Sequence, residues 1–495
     1  MRRRDLIALP ALAAAPASAA PVRTALCLNE DNSHWFSTRA GQALTPEFVS
    51  SFVDQYAGTQ IRELILSANS QRTSFASEVW DPIWKGYQPD GPDDQPLLHS
   101  TPEAGRAGAR RWIHTAWELA EKKIDPYALW IARARQKGLT PWISMRMNDL
   151  HNVDDPASYM HSTFWREHPE YRRVPWRFSD WRDRAFDFAH VPVREYHFRL
   201  IEEYCRRYDF DGLELDWMRF GFHFRPGNEL EDGPLLTEFM RRTRRLLDNW
   251  EKRRGHKIHL GARVPSRPQT ALHLGMDGAL WAREGLVQML VVTPFWASIE
   301  TDMPMELWRR LCGDRVTLAA GLELLLRPYH DYRPLQFNSL ETVRGAAASL
   351  LSRGADRIYL FNYMDSQTEM ADRENYPALL RECGRLETLA GKLRRHIVTY
   401  SDTWAPGEAA ASQLPKTLAA GQWAAFRLHV GPRLDNGTVR LKLDSATIGA
   451  LRINGDLCRA SGPDSWTIPF GISGSVVIDL QAVKPGRVDW VEIAG

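Results

Sequence analysis

Eight short apolar runs, separated by stretches of helical periodicity, constrain this chain more than any other feature. The runs are Val22–Leu28, Ile61–Ala68, Thr140–Met147, Phe210–Trp217, Ile258–Val264, Val287–Thr293, Val316–Leu322 and Ile358–Tyr363. Helical patterns lie between them at Pro46–Tyr56, Pro126–Lys137, Val193–Tyr208, Leu235–Arg253 and Leu340–Arg353. Strands buried on both faces read as continuous apolar runs, and parallel strands need a crossover, usually helical, to bring the chain back. Eight such units predict the α/β class and a (β/α)8 TIM barrel over residues 21–395. A doubly wound sheet is the alternative, but no glycine-rich phosphate loop follows any run.

Both ends of the chain differ from this middle. Arg2, Arg3 and Arg4, the apolar stretch Leu6–Ala15 and the small residues Ala17-Ser18-Ala19 make residues 1–20 a signal segment resembling a twin-arginine leader. The expected location is therefore exported, periplasmic or secreted. No later run reaches the roughly 18 apolar residues of a membrane span. From about Val398 helical periodicity fades, and short alternating runs appear at Trp423–Val430, Thr438–Leu443, Gly449–Ile453, Val476–Leu480 and Val488–Ile493. Turn signals such as Asp435-Asn436-Gly437 separate them, so residues 396–495 read as a small all-β sandwich. It binds carbohydrate or caps the barrel, and the lack of a clear exposed aromatic triplet favours the cap.

Charge and cysteine content narrow the function. Lys and Arg number 63 against 61 Asp and Glu, which speaks against a nucleic-acid binder. The arginine-rich helix 235–253 is diluted by Glu238, Asp248 and Glu251 and reads as a solvated face. Cys27, Cys205, Cys312, Cys383 and Cys458 are widely spaced, with no CxxC pair or zinc-type spacing, and read as buried free thiols. No cofactor is called for. The oligomeric state is not legible.

In a barrel strand alternate residues face the axis, and catalytic groups stand at the C-terminal strand ends. In the fourth run Leu213, Leu215 and Trp217 face the helices, whereas Gly212, Glu214 and Asp216 face inward. Two carboxylates on one buried face are costly unless paired or functional. In the third run Ser144, Arg146 and Asn148 face inward, with Asp149 and His151 in the loop beyond, and Arg146 is expected to reach Glu214 and Asp216. Gly261 and Arg263 share a face on the fifth run, as do Gly321 and Glu323 on the seventh. Asn362 and Tyr363 close the eighth. The competing account makes Glu214 and Arg146 a salt-bridge network in the barrel floor, and Asp149 and His151 a loop cap. A metal site from His151, Asp154 and Asp155 is the minor reading; such acidic loops are usually solvated turns.

The string Asp211-Gly212-Leu213-Glu214-Leu215-Asp216-Trp217 resembles the fourth-strand motif of several glycoside hydrolase barrels. It is similar, distantly, to the family 18 pattern DGxDxDxE, although Met218 stands where that pattern has its catalytic Glu. The departure argues against the substrate-assisted mechanism of that family. Asp211, Gly212, Asp216 and Arg219, together with Arg146-Met147-Asn148-Asp149 and His168-Pro169-Glu170, resemble the glycosyl hydrolase-like family 10 group. That resemblance implies a carbohydrate substrate and cleavage of a glycosidic bond by two carboxyl groups. Asp216 is the expected nucleophile or base. Glu323 is the first candidate acid and Glu214 the second, with Glu300 or Asp302 third. Arg146, Asn148, Asp149, His151, Trp217, Arg219, Arg263, Trp296, Asn362 and Tyr363 are the expected substrate-binding residues. The chain has 19 Trp, and Trp35, Trp80, Trp84 and Trp296 fall in loops expected at the mouth, where aromatic faces stack on sugar rings. A degenerate barrel that binds carbohydrate without cleaving it is the alternative, and a lyase or metal-dependent deacetylase is a third.

Overall fold

The computed structural model describes residues 24–495, apart from 178, 297–298, 366–369 and 411. The signal segment at residues 1–20 lies outside the described residues. Eight parallel strands form a closed barrel in which each strand pairs with its neighbours in sequence and the last pairs with the first. They are β1 (Ala25–Glu30), β2 (Ile61–Ser67), β3 (Thr140–Arg146), β4 (Gly212–Asp216), β5 (His259–Pro265), β6 (Met289–Thr293), β7 (Thr317–Leu322) and β8 (Arg357–Phe361). Each of the eight apolar runs overlaps one of these strands.

Two cores hold the barrel. The larger lies between strands and helices; the smaller fills the axis with Cys27, Ile65, Trp142, Met289, Val291, Ala319, Tyr359 and Phe361. Trp142 occupies so much of the axis that its neighbours on β4 and β5 must lack side chains. A Cβ on Gly212 would lie 2.1 Å from the Trp142 ring, and one on Gly261 would lie 2.7 Å from it. Gly212 and Gly261 are therefore packing partners of one tryptophan, the large-against-small filling that closes a barrel axis.

The long helix Glu229–Arg254 contains the arginine-rich segment. Arg241 pairs with Glu284, Arg242 with Glu195, Arg245 with Glu238, and the largely buried Arg244 with Asp248 and Glu251. The charges are locally neutralised.

After the barrel, two antiparallel sheets pack around a third apolar core. One contains β9 (Arg395–Ile397), β10 (Lys416–Leu418), β12 (Gly437–Asp444), β14 (Arg459–Gly462), β15 (Ser465–Ile468) and β17 (Gly486–Ala494). The other contains β11 (Trp423–His429), β13 (Thr447–Ile453) and β16 (Ser475–Lys484), extended by a two-residue strand. In β11 buried and outward residues alternate strictly, as expected of a sheet with one wet face. All five cysteines are free and buried. Among the described residues no helix is long and apolar enough to cross a membrane.

The segment entering the sandwich also props the barrel. The Asp402 carboxylate accepts the backbone N–H groups of Phe295 and Trp296 at 2.8 and 2.9 Å. Glu408 accepts from Thr270 and contacts His273. The loops after β5 and β6 are thus fixed from outside the barrel.

Candidate active site

Strand register builds the site. Trp142 aligns with Gly212, Ser144 with Glu214, and Arg146 with Asp216; Glu214 in turn aligns with Gly261 and Asp216 with Arg263. The axis is consequently layered, with Trp142 at the floor and Glu214 in the middle. Arg146, Asp216 and Arg263 stand abreast at the C-terminal mouth.

Arg263 organises the mouth. Its Nη1 donates to Asp216 Oδ2 at 2.7 Å, and its Nη2 lies 3.8 Å from Glu323 Oε1. The guanidinium rests 3.9 Å from the centre of the Phe361 ring, a cation–π contact. Burial disfavours its charge, but Asp216, Tyr359, Glu214 and Glu323 outweigh that and raise its pKa. The other Asp216 oxygen accepts the backbone N–H of Met218 at 3.1 Å and of Arg219 at 2.8 Å. Every one of these contacts is a donor, the surroundings that suit a carboxylate.

Glu323 lives differently. One oxygen accepts from Asn362 Nδ2 at 3.2 Å, while Oε1 has no hydrogen-bond partner among the described residues. Burial pushes its carboxyl up to about 8, against the pull of Arg263 and Arg219. The two carboxyl groups thus sit on opposite sides of one arginine in contrasting environments, the pattern that divides acid from base roles.

A second chain of contacts runs across the mouth from β1. Arg146 does not bond Glu214 or Asp216, contrary to the sequence expectation. Its Nη2 pairs with Asp31, and its Nη1 lies 3.4 Å from Asp149 Oδ2. Asp149 accepts from His151 Nδ1 at 2.9 Å, and Arg219 Nη2 contacts His151 Nε2 at 3.0 Å. Burial raises the pKa values of Asp31 and Asp149, but the opposing pull is larger, from Arg146 on Asp31 and from His151 and Arg146 on Asp149. Both end well below the usual carboxylate range. Phe220 follows Arg219 with φ of 61°, a left-handed backbone that costs a bulky residue roughly 1–2 kcal/mol. Edge-on contacts of Phe220 with His151, Trp181 and Phe295 hold it there.

Several sequence expectations need correcting. Glu214 is fully buried one layer below Asp216, where Ser144 and the Tyr359 hydroxyl donate to it at 2.7 and 2.9 Å. Burial and Asp216 push its pKa up to about 7. It belongs to the barrel interior, but not to a salt-bridge network with Arg146, which turns to Asp31 at the mouth. Asn148 spends its amide on the backbones of Phe186 and Phe222 and therefore staples loops. The Tyr363 hydroxyl is buried on the Glu323 carbonyl. Trp217 is fully buried among the helices, as its outward direction demands. Trp35 and Trp80 are core residues, Trp80 stacking on Tyr196, and Trp84 packs partly buried against the same core. Asp211 pairs with Arg135 before β4 begins, at the end away from the mouth. His168 and Glu170 pair with each other at the surface, and Asp154 turns to Arg184.

Glu300 and Asp302 line a separate cleft of about 320 Å³ between the barrel and the sandwich. Trp296 is exposed and stacks with Arg327, which leaves it available as a platform, and Trp176 is more exposed still. Sequence reasoning missed Asp31 by ending β1 at Leu28. Continuing the alternation of Cys27 and Asn29 by two residues leads to it.

No protein-family model matches the sequence, and no curated protein matches it. The resemblances to families 10 and 18 therefore have no family-level match behind them. Solved structures similar to this chain include an α-L-fucosidase of Paenibacillus thiaminolyticus, at 12% identity and a TM-score of 0.36, over 93% of this chain and 97% of that one. A maltogenic α-amylase of Thermotoga neapolitana gives 11%, 0.37, 93% and 99%. A cycloisomaltooligosaccharide glucanotransferase of Paenibacillus gives 8% and 0.35, with 96% of this chain spanning 58% of that one. Likenesses of this size carry no functional argument.

Proposed function

We propose that the chain is a glycoside hydrolase in which Asp216 and Glu323 form the working carboxyl pair. The observation that carries the reading is Arg263, which bonds one carboxyl and lies beside the other at the barrel mouth. Glu323, protonated at neutral pH by virtue of its burial, donates its proton to the glycosidic oxygen. Asp216 attacks the anomeric carbon or activates the water that does. Asn362 steadies Glu323, and Trp296 with Phe295 and Trp181 offers aromatic surface beside the site. The proposal includes export, supported by the charged start, short apolar stretch and small-residue site of residues 1–20.

A second reading, carbohydrate binding without turnover, draws on burial: Asp216 is 1% exposed and Glu323 is 0% exposed. One experiment separates the two. The purified protein is incubated with a broad panel of oligo- and polysaccharides, and reducing ends and product anomers are followed by proton NMR. Release of a new anomeric signal that disappears in Asp216→Asn supports the hydrolase. Binding on the panel with no new reducing end supports the second reading.

A further inference from the structure

The segment that leads from the barrel into the sandwich brings one carboxylate to the mouth. One oxygen of Asp402 accepts the backbone N–H of Phe295 at 2.8 Å, and the other accepts that of Trp296 at 2.9 Å. The Thr403 hydroxyl adds a third bond at 2.9 Å. Two consecutive peptide planes gripped by one charged group leave a turn little freedom, because charge-assisted hydrogen bonds are short and strong. That turn carries Trp296, which is 49% exposed, and Phe295, which stacks on Trp181. From the loop after β7 the buried Arg327 lies 5.5 Å from the Trp296 ring. Burial raises the pKa of Asp402, and the two backbone groups, Thr403 and Arg327 pull it back.

Asp402 also bears on Glu323, which follows β7. Facing Glu323 are Arg263 from β5, Arg219 from the loop after β4, Asn362 and Tyr363 after β8, and Asp402. Burial raises the pKa of Glu323 most; Arg263 and Arg219 lower it, Asp402 raises it further, and Asn362 lowers it. Asp402 likewise adds to burial in raising Glu300 on the β6 loop. A second negative charge makes ionisation of a buried carboxyl costlier, so the proton is retained.

We infer that Asp402 is a positioning residue of the mouth, supplied from outside the barrel: its carboxylate holds the Phe295–Trp296 turn beside the carboxyl pair and sets a negative charge against Glu323. The inference rests on the reading of Glu323 as the proton donor. It makes the entry to the sandwich part of the working site and gives the aromatic platform and the acid a common support.

The test follows Glu323 by NMR in the full chain, isotopically labelled at the glutamate carboxyl carbons. The signal is assigned by its absence from Glu323→Gln. Its titration midpoint should lie above the usual glutamate value of about 4.3. In Asp402→Asn the midpoint should fall by roughly half a pH unit or more, the scale of one nearby charge in a partly screened site. Thr403→Val loosens the Asp402 carboxylate but keeps its charge, and should leave the midpoint in place. Asparagine keeps one acceptor but turns its amide group to the second backbone N–H. Deuterium uptake in the peptide carrying Phe295 and Trp296 should therefore quicken in Asp402→Asn. Where the glycan panel yields a substrate, the alkaline limb of kcat/KM should move to lower pH with the midpoint. An unchanged midpoint or unchanged uptake in Asp402→Asn overturns the inference, as does an equal fall in Thr403→Val. A midpoint at or below about 4.3 in the unmodified chain overturns it without any variant having to fold. Hydrolysis by a chain whose Glu323 ignores Asp402 would defeat this inference and leave the carboxyl pair standing. An Asp402-dependent Glu323 in a chain that cleaves no glycan would do the reverse.

Discussion

Replacing Arg263 with Met removes the cation that the mouth is built on, and the consequence depends on pH. The guanidinium is completely buried, donates to Asp216 at 2.7 Å and lies on the Phe361 ring. Met keeps much of the apolar contact, so packing loss should be about 1 kcal/mol. The larger effect is electrostatic. Removing one partner of a buried ion pair costs about 3–5 kcal/mol because the other charge stays uncompensated. In Arg263→Met a carboxyl stays buried at position 216 without its cation, and burial without a cation favours the protonated form. The unfolded chain then releases that proton first, so the penalty is absent below pH 4 and grows as the pH rises. Urea unfolding followed by tryptophan fluorescence at pH 4 and pH 7 measures it. The loss relative to the unmodified chain should be about 1 kcal/mol at pH 4 and about 4–6 kcal/mol at pH 7. An equal loss at both values, or a loss under about 1 kcal/mol at pH 7, refutes the ion-pair account.

Three further outcomes follow from the same geometry. Glu323 has a folded pKa raised to about 8, so it destabilises the fold progressively as pH rises from about 4.5 to 8. Glu323→Gln should therefore match the unmodified chain near pH 4.5 and be the more stable of the two at pH 8.5, as read by thermal melts. Gly212→Ala drives a Cβ to 2.1 Å from the Trp142 ring and should cost about 1–3 kcal/mol in urea unfolding, although the glycine lies in an ordinary strand. All five thiols are buried, and burial raises the pKa of each of them. A disulfide thiol reagent should leave the native protein unlabelled and titrate all five cysteines after unfolding.

Much of the fold was legible because barrel strands are short, apolar and separated by helices, a pattern with few competing meanings. The sandwich was legible from its alternation, yet β9, β10, β14 and β15 were missed. They are only three or four residues long and carry almost no periodic signal. The inward direction of Glu214, Asp216, Arg263 and Glu323 followed from strand parity alone. Which inward charge meets which did not, since parity carries no information about shear. Arg146 and Arg263 both flank Asp216 in register, and only the three-dimensional site shows Arg146 turned to Asp31 and Arg263 to Asp216. Tryptophan content was the weakest guide. Trp35, Trp80 and Trp217 fill the core, because a large apolar ring gains more from burial than from waiting at a surface. Asn148 and Tyr363 look like ligands in sequence and are consumed by backbone groups, a use that needs the loops in place to be seen.

The most direct test of the carboxyl pair uses leaving groups of different quality on the glycan that the panel identifies. A dinitrophenyl glycoside departs without protonation, whereas a sugar leaving group needs an acid. If Glu323 is that acid, Glu323→Gln should lose about 10²–10⁴-fold in kcat/KM on the sugar leaving group and stay near the unmodified enzyme on the dinitrophenyl glycoside. Asp216→Asn should be severely slowed on both. Equal slowing of the two substrates by Glu323→Gln, or an Asp216→Asn enzyme within about tenfold of the unmodified one, would contradict the assignment.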